Sequence, residues 1–190
     1  NNLNSDLVAA LSEAQVSALS DKQVASLSET QLAAMGTAQL AAINNKDLAG
    51  LSTDKINALS AEQFNAFTAA QVKTLTVGQV SNLDDEIIQG MGQEEIQALT
   101  AAQVKALTAG VSGQMTKFSA EQIAMFNHAA AGDNVSQVGL FSAAQIQALL
   151  DRPDASPVLQ ALDVPTLIAC GDQDLWAPVA QHQAMQALVP

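Results

Sequence analysis

Leu11-Ser12-Glu13-Ala14-Gln15-Val16 is the stretch on which the fold turns. Ser-x-x-Gln is a capping box: the Ser hydroxyl accepts from the amide three residues on, and the Gln side chain reaches back to the amide of the cap. Leu11, just before the cap, and Val16, four residues after it, stand at the offsets of a hydrophobic staple. The hexapeptide therefore encodes the start of a helix.

The same start recurs every eight residues. Leu11, Leu19, Leu27, Met35, Ile43, Leu51, Leu59, Phe67, Leu75, Leu83, Met91, Leu99 and Leu107 hold the leading place. Ser or Thr follows them at Ser12, Ser20, Ser28, Ser52, Ser60, Thr68, Thr76, Thr100 and Thr108, with Asn44, Asp84, Gly36 and Gly92 as tolerated substitutes. Gln stands at residues 15, 23, 31, 39, 63, 71, 79 and 103, and a large or branched apolar residue comes next, from Val16 and Val24 to Ile96 and Val104. The unit closes on a small residue such as Ala18, Ala34, Ala58 or Ala106. One box arises easily by chance, whereas seven in phase do not.

Two rival architectures fail on this pattern. In one continuous helix the leading residue would drift about 80° per octad, so no apolar stripe would survive and a coiled coil is excluded. Stacked strands would want β-branched or aromatic alternation, but the intervening residues are Ala, Glu, Gln, Lys and Ser. What remains is an all-α repeat, a solenoid of helices about five or six residues long that persist only by packing on their neighbours. The leading apolar residue, the Val/Ile and the closing small residue are expected to face inward. The third, fourth and seventh places (Glu13, Asp21, Lys22, Asp54, Lys73, Glu94) are expected to face solvent. The pattern does not fix the number of helices per coil.

The octads run over residues 3–149, with Leu3-Asn4-Ser5-Asp6-Leu7-Val8 already in phase. Between 108 and 117 the phase slips around Gly110 and Gly113, and a tolerated bend is favoured there over a hinge or binding loop. Clean units resume at Phe118-Ser119-Ala120-Glu121-Gln122-Ile123 and Phe141-Ser142-Ala143-Ala144-Gln145-Ile146, with weaker ones from Phe126 and at Asn134-Val135-Ser136-Gln137-Val138. Phe in the leading place predicts a wider core.

Composition narrows the function. Nineteen acidic residues against six Lys and Arg152 give a net charge of −12, which repels nucleic acid and anionic lipid. No apolar run approaches the roughly 20 residues of a membrane span, and Cys170 is the only cysteine, so neither an internal disulfide nor a zinc cluster is expected. The chain opens Asn-Asn-Leu-Asn, without Met or a signal-peptide pattern. The octads resemble repeats of long, low-complexity bacterial surface and secreted proteins. That resemblance implies an extracellular or cell-surface scaffold, adhesin-like, whose partners are copies of itself or other surface proteins.

Residues 150–190 differ. Val164-Pro165-Thr166-Leu167-Ile168-Ala169-Cys170-Gly171-Asp172-Gln173-Asp174-Leu175-Trp176-Ala177-Pro178 resembles the late strand and acid loop of the α/β-hydrolases. The likeness implies a strand over 166–170, a helix over 179–188, and the acid of a catalytic triad at Asp174. Yet no Gly-x-Ser-x-Gly elbow occurs, and neither His128 nor His182 stands in the context of the family's histidine. A triad needs nucleophile, base and acid together, and only the acid is present. Asp172 and Asp174 alone make a poor cation site. The expectation is a non-catalytic structural or adhesive module that binds no cofactor or metal and associates end to end. A partner-binding scaffold and a remnant of a serine hydrolase are the alternatives.

Overall fold

The computed structural model describes residues 4–110, 112–127 and 137–161. Within them the chain is all-α, with sixteen short helices, two 3-10 turns and no strand among the described residues. The helices are α1 Ser5–Ala9, α2 Glu13–Ser17, α3 Asp21–Ser26, α4 Glu29–Ala33, α5 Thr37–Ala41, α6 Asn45–Ala49, α7 Thr53–Asn57 and α8 Ala61–Phe64. They continue as α9 Ala69–Thr74, α10 Val77–Val80, α11 Asp85–Gly90, α12 Gln93–Ala98, α13 Ala101–Ala106, α14 Ala120–Met125, α15 Ala143–Leu150 and α16 Ala155–Ala161. The chain is an all-α repeat solenoid, one helix per octad, as the capping boxes predict.

Each corner follows from local chemistry. At the start of α2, Ser12 has extended backbone (φ −74°, ψ 159°). Its Oγ accepts from the Gln15 amide at 3.2 Å while Gln15 Oε1 accepts from the Ser12 amide at 2.8 Å. At the other end the next leading residue closes a tight i→i−3 bond, as when the Leu19 amide donates to the Val16 carbonyl at 3.0 Å. The chain then turns extended, as at Leu27 (φ −61°, ψ 137°). No left-handed residue is needed, so a branched hydrophobe can sit at the corner. Among the described residues positive φ occurs only at Gly110, at 100°.

The residue after each Gln position forms the spine of the core: Val8, Val16, Val24, Leu32, Leu40, Leu48, Ile56, Phe64, Val72, Val80, Ile88, Ile96 and Val104 are at most 1% exposed. The leading residues from Leu27 to Leu107 are buried beside them. The closing small residue is inward in some octads and not in others: Ala98 is buried, Ala34, Ala58 and Ala106 are half-buried, and Ala18 is exposed. At Gly90 the coils do approach closely, since a Cβ there would run into Ala61 Cβ.

Ahead of the phase slip, hydrogen bonds between coils join residues 25 to 31 positions apart. A coil therefore takes about 28 residues, or about three and a half octads. Accordingly α1 packs on α4, α3 on α6, α6 on α9 and α10 on α13, three helices on in each case.

The phase slip leaves the coil intact. Thr108 and Gln114, six residues apart, still form a capping box: the Thr108 amide donates to Gln114 Oε1 at 3.1 Å and the Gln114 amide to Thr108 Oγ1 at 2.9 Å. Gly113 lies in the intervening turn because a Cβ there would stand 2.5 Å from the Ala109 carbonyl oxygen. Beyond it Phe118, Phe126 and Phe141 replace the leading Leu and stack edge to face at 5.4 and 5.2 Å between centroids. Finally α16 packs on α14 and α15, with Val158 fully buried.

Candidate functional site: the buried glutamine ladder

The polar groups that recur inside this protein are the capping-box glutamines, and each has two functions. Gln103, 1% exposed, accepts from the Thr100 amide through Oε1 at 2.7 Å. Its Nε2 donates to the carbonyls of Val72 and Leu75 in the coil below, both at 2.8 Å. Gln71 reaches Leu40, Ala41 and Ile43 in the same way, Gln79 reaches Leu48 and Leu51, and Gln39 reaches Val8, Ala9 and Leu11. Each acceptor set is a corner, where the helical carbonyl (Val72, Leu40, Leu48 or Val8) takes the i→i−3 bond of the leading residue and offers its second lone pair to the Gln.

A Glu at this place would cap equally well but has no N–H to give to a carbonyl. The amide is required because one side chain must accept on one side and donate on the other. The ladder also survives insertion. Its offsets of 28 and 31 residues become 31 and 34 at Gln114, and 38 and 41 at Gln145, as extra residues accumulate.

Leu7, Asp47, Lys55, Ile87 and Glu95 stand where the Gln would, and the last four are bridged to the neighbouring coil in three ways. Asp47 occupies the place in α6, and the cap residue Asn44 supplies the cross-coil donor, to Ser17 O at 3.1 Å. Asn44 and Asp84, expected to cap, accept no backbone amide of their own helices, although Asn44 Nδ2 also donates to Asp47 Oδ2 at 3.4 Å. Lys55 holds the place in α7 and donates Nζ to the Ala25 carbonyl. Where Ile87 and Glu95 stand, the direction reverses and an Asn of the lower coil reaches up. Asn57 donates to the Asn82 carbonyl at 2.9 Å and accepts from the Asp84 amide at 3.1 Å. Asn65 does the same with the Gly90 carbonyl and the Gly92 amide, at 2.7 and 3.2 Å.

Two buried carboxylates result. Burial pushes the Glu95 carboxyl above its usual range; backbone amides of Glu95 and Gly92 pull the other way, and Glu94 adds repulsion. Asp47 is 3% exposed, and its Oδ1 has no hydrogen-bond partner among the described residues. On the surface, Lys46 pairs with Asp21 at 3.0 Å, so the Asp21 carboxyl is held below and the Lys46 ammonium above their ordinary values. Lys117 pairs with Asp85 at 2.6 Å. Arg152 grips Asp154 through Nε and Nη2 at 2.8 and 2.7 Å and gives Nη1 to the Phe118 carbonyl, serving that corner as a Gln would. A cleft of about 360 Å³ beside it is lined by Thr116, Lys117, Ala148, Asp151, Arg152, Pro153 and Asp154.

The residues singled out in the C-terminal stretch, Asp174 with Asp172, His182 and Cys170, lie outside the described residues, as does His128. So do the strand expected over 166–170 and the helix over 179–188. Among the described residues no cluster of three or more His, Cys, Asp or Glu side chains is placed to hold a metal ion, and no helix is long and apolar enough to cross a membrane. Sequence reasoning found the capping function of the Gln and missed the cross-coil one. The available signal was the uniform choice of Gln where a capping box accepts Glu as readily.

Comparison with known families meets this geometry directly. Residues 40–77 match the model of the ALTTAQ repeat. Read onto the octad, Ala-Leu-Thr-Thr-Ala-Gln is the closing small residue, the leading apolar residue, the cap, two solvent-facing residues and the ladder Gln. Ala66-Phe67-Thr68-Ala69-Ala70-Gln71 carries it within the matched stretch, and Ala98-Leu99-Thr100-Ala101-Ala102-Gln103 repeats it beyond. No curated protein and no solved structure matches the chain.

Proposed function

We propose that this repeat module is a non-catalytic structural or adhesive element whose solenoids join end to end into a fibre or surface scaffold, in an extracellular or cell-surface setting. One observation carries the reading. Gln15 and Gln23, in the first described coil, keep their capping bonds but are exposed, and no Nε2 bond to a carbonyl is present there among the described residues. Leu7, 54% exposed, lies on the same coil with the half-buried Leu11 and Leu19. In this stretch of chain that face offers amide donors and apolar side chains of the kind that join one coil to the next, whether the next coil belongs to the same chain or to a second copy. Such a heterologous contact need not close into a ring.

Sedimentation velocity over a concentration series tests it, with a Leu7→Lys/Gln15→Glu/Gln23→Glu variant beside the parent chain. Concentration-dependent growth that the variant loses supports the reading, and a strictly monomeric parent at millimolar concentration overturns it. A fluorophosphonate probe tests the non-catalytic half, since covalent labelling of any serine would contradict it.

A further inference from the structure

The solenoid sorts its surface charge by flank. Lys22, Lys46, Lys73 and Lys105 are all exposed and lie on α3, α6, α9 and α13, at separations of 24, 27 and 32 residues. Each step is close to one coil of about 28. The stacking agrees, because α3 packs on α6, α6 on α9, and Gln103 of α13 is bonded to Val72 and Leu75 at α9. Within 72–79 and 100–107 there is no carboxylate; Asp47 is buried, and Asp21 is paired with Lys46.

A second row runs up another flank. Glu29, Asp54, Asp85 with Glu86, and Glu121 are exposed and again about one coil apart, once the extra residues between Thr108 and Gln114 are allowed for. They follow the lysine by seven, eight, twelve to thirteen and sixteen residues, the last being thirteen without the three extra residues, so a quarter to nearly half a turn. Both lysines on that flank are engaged, Lys55 with the Ala25 carbonyl and Lys117 with Asp85. Packed helices lie about 8–10 Å apart, so both rows repeat at that spacing along the axis.

We propose that the lysine row is an interface for a second copy of this chain, whose acidic row seats against it so that solenoids associate side by side. Two rows of opposite sign and equal period on one molecule are complementary under translation, which is what lateral assembly needs. The net charge of −12 opposes approach at long range. It is screened beyond about 10 Å near 0.1 M salt, while contact pairs at the interface persist. This surface is separate from the end face, and the two give different results when perturbed.

The test is sedimentation velocity of the full chain in about 0.1 M and about 1 M NaCl, with charge-reversed variants on exposed positions only. Lateral association is expected near 0.1 M, weaker by about tenfold or more at 1 M. It is lost in Lys73→Glu/Lys105→Glu and in Glu29→Lys/Asp54→Lys/Glu86→Lys, and restored when those two variants are mixed. The Gln15→Glu/Gln23→Glu variant keeps it. Association indifferent to salt and to both reversals overturns the proposal. So does failure of the mixture to associate, or binding of poly-glutamate to the lysine row by a chain that never self-associates.

Discussion

Replacing Gln103 by Glu separates the two functions of the ladder residue. The carboxylate keeps the bond from the Thr100 amide, so the helix start survives. The two donations at 2.8 Å to Val72 and Leu75 are lost. Each is worth about 1 kcal/mol net. A buried anion then faces two carbonyl oxygens without a donor, and the total cost is about 3–5 kcal/mol at pH 7. Gln15→Glu, with the same capping bond but exposed, is the control and costs under about 0.5 kcal/mol. Urea denaturation followed by circular dichroism reads both. The buried carboxyl will titrate above the ordinary carboxylate value, so the Gln103→Glu penalty shrinks as pH falls from that raised pKa to the ordinary one, where its O–H again donates. Equal stability of the two variants at pH 7 would refute the cross-coil role of the amide.

Other expectations follow from the same geometry. Glu95→Gln should stabilise by about 1–2 kcal/mol at pH 7, because by the ladder offset its Nε2 meets the carbonyls of Phe64 and Phe67. The raised pKa of Glu95 makes the parent most stable while that carboxyl is protonated, and stability falls as pH rises from the ordinary value through the raised one; the Gln variant loses that decline in denaturation measured from pH 4 to 8. Thr100→Ala should cost about 1 kcal/mol through its lost cap bond, whereas Asp84→Ala, whose side chain makes none, should change thermal stability little. Asn65→Ala removes the upward clamp on Gly90 and Gly92 and should cost about 1–2 kcal/mol, read as earlier local hydrogen exchange around α12. Gly113→Ala drives a Cβ into backbone oxygens of Thr108 and Ala109 and should cost about 1–3 kcal/mol in the same denaturation assay.

The fold was legible because the octad's information is local. A cap, its Gln and the flanking apolar pair all lie within six residues, so helix starts, corners and the buried spine could be read without tertiary knowledge. Coil size was not legible, because it is set by contacts about 28 residues apart between side chains and carbonyls, and a carbonyl is common to every residue. Burial of the ladder Gln was hidden for the same reason. The closing small residue is inward only in some octads, as at Ala98 and Gly90 and not at Ala18, and residue size alone does not tell which. Asn44 and Asp84 were read as caps from residue type alone, yet Asn44 is turned toward Ser17 in the neighbouring coil and Asp84 has its amide held by Asn57. The repairs at Asn57 and Asn65 lie thirty residues before the defects they serve, beyond the reach of any short motif.

A coil of three and a half octads has a mechanical consequence. The half unit staggers each layer against the next, in the manner of running-bond masonry, so a joint in one course lies over the body of a neighbour. No vertical seam runs up the wall along which layers can shear or hinge together. Tension along the axis is then carried by all flanks alike, and a defect such as Ile87 or Glu95 weakens one course without opening a crack in the next.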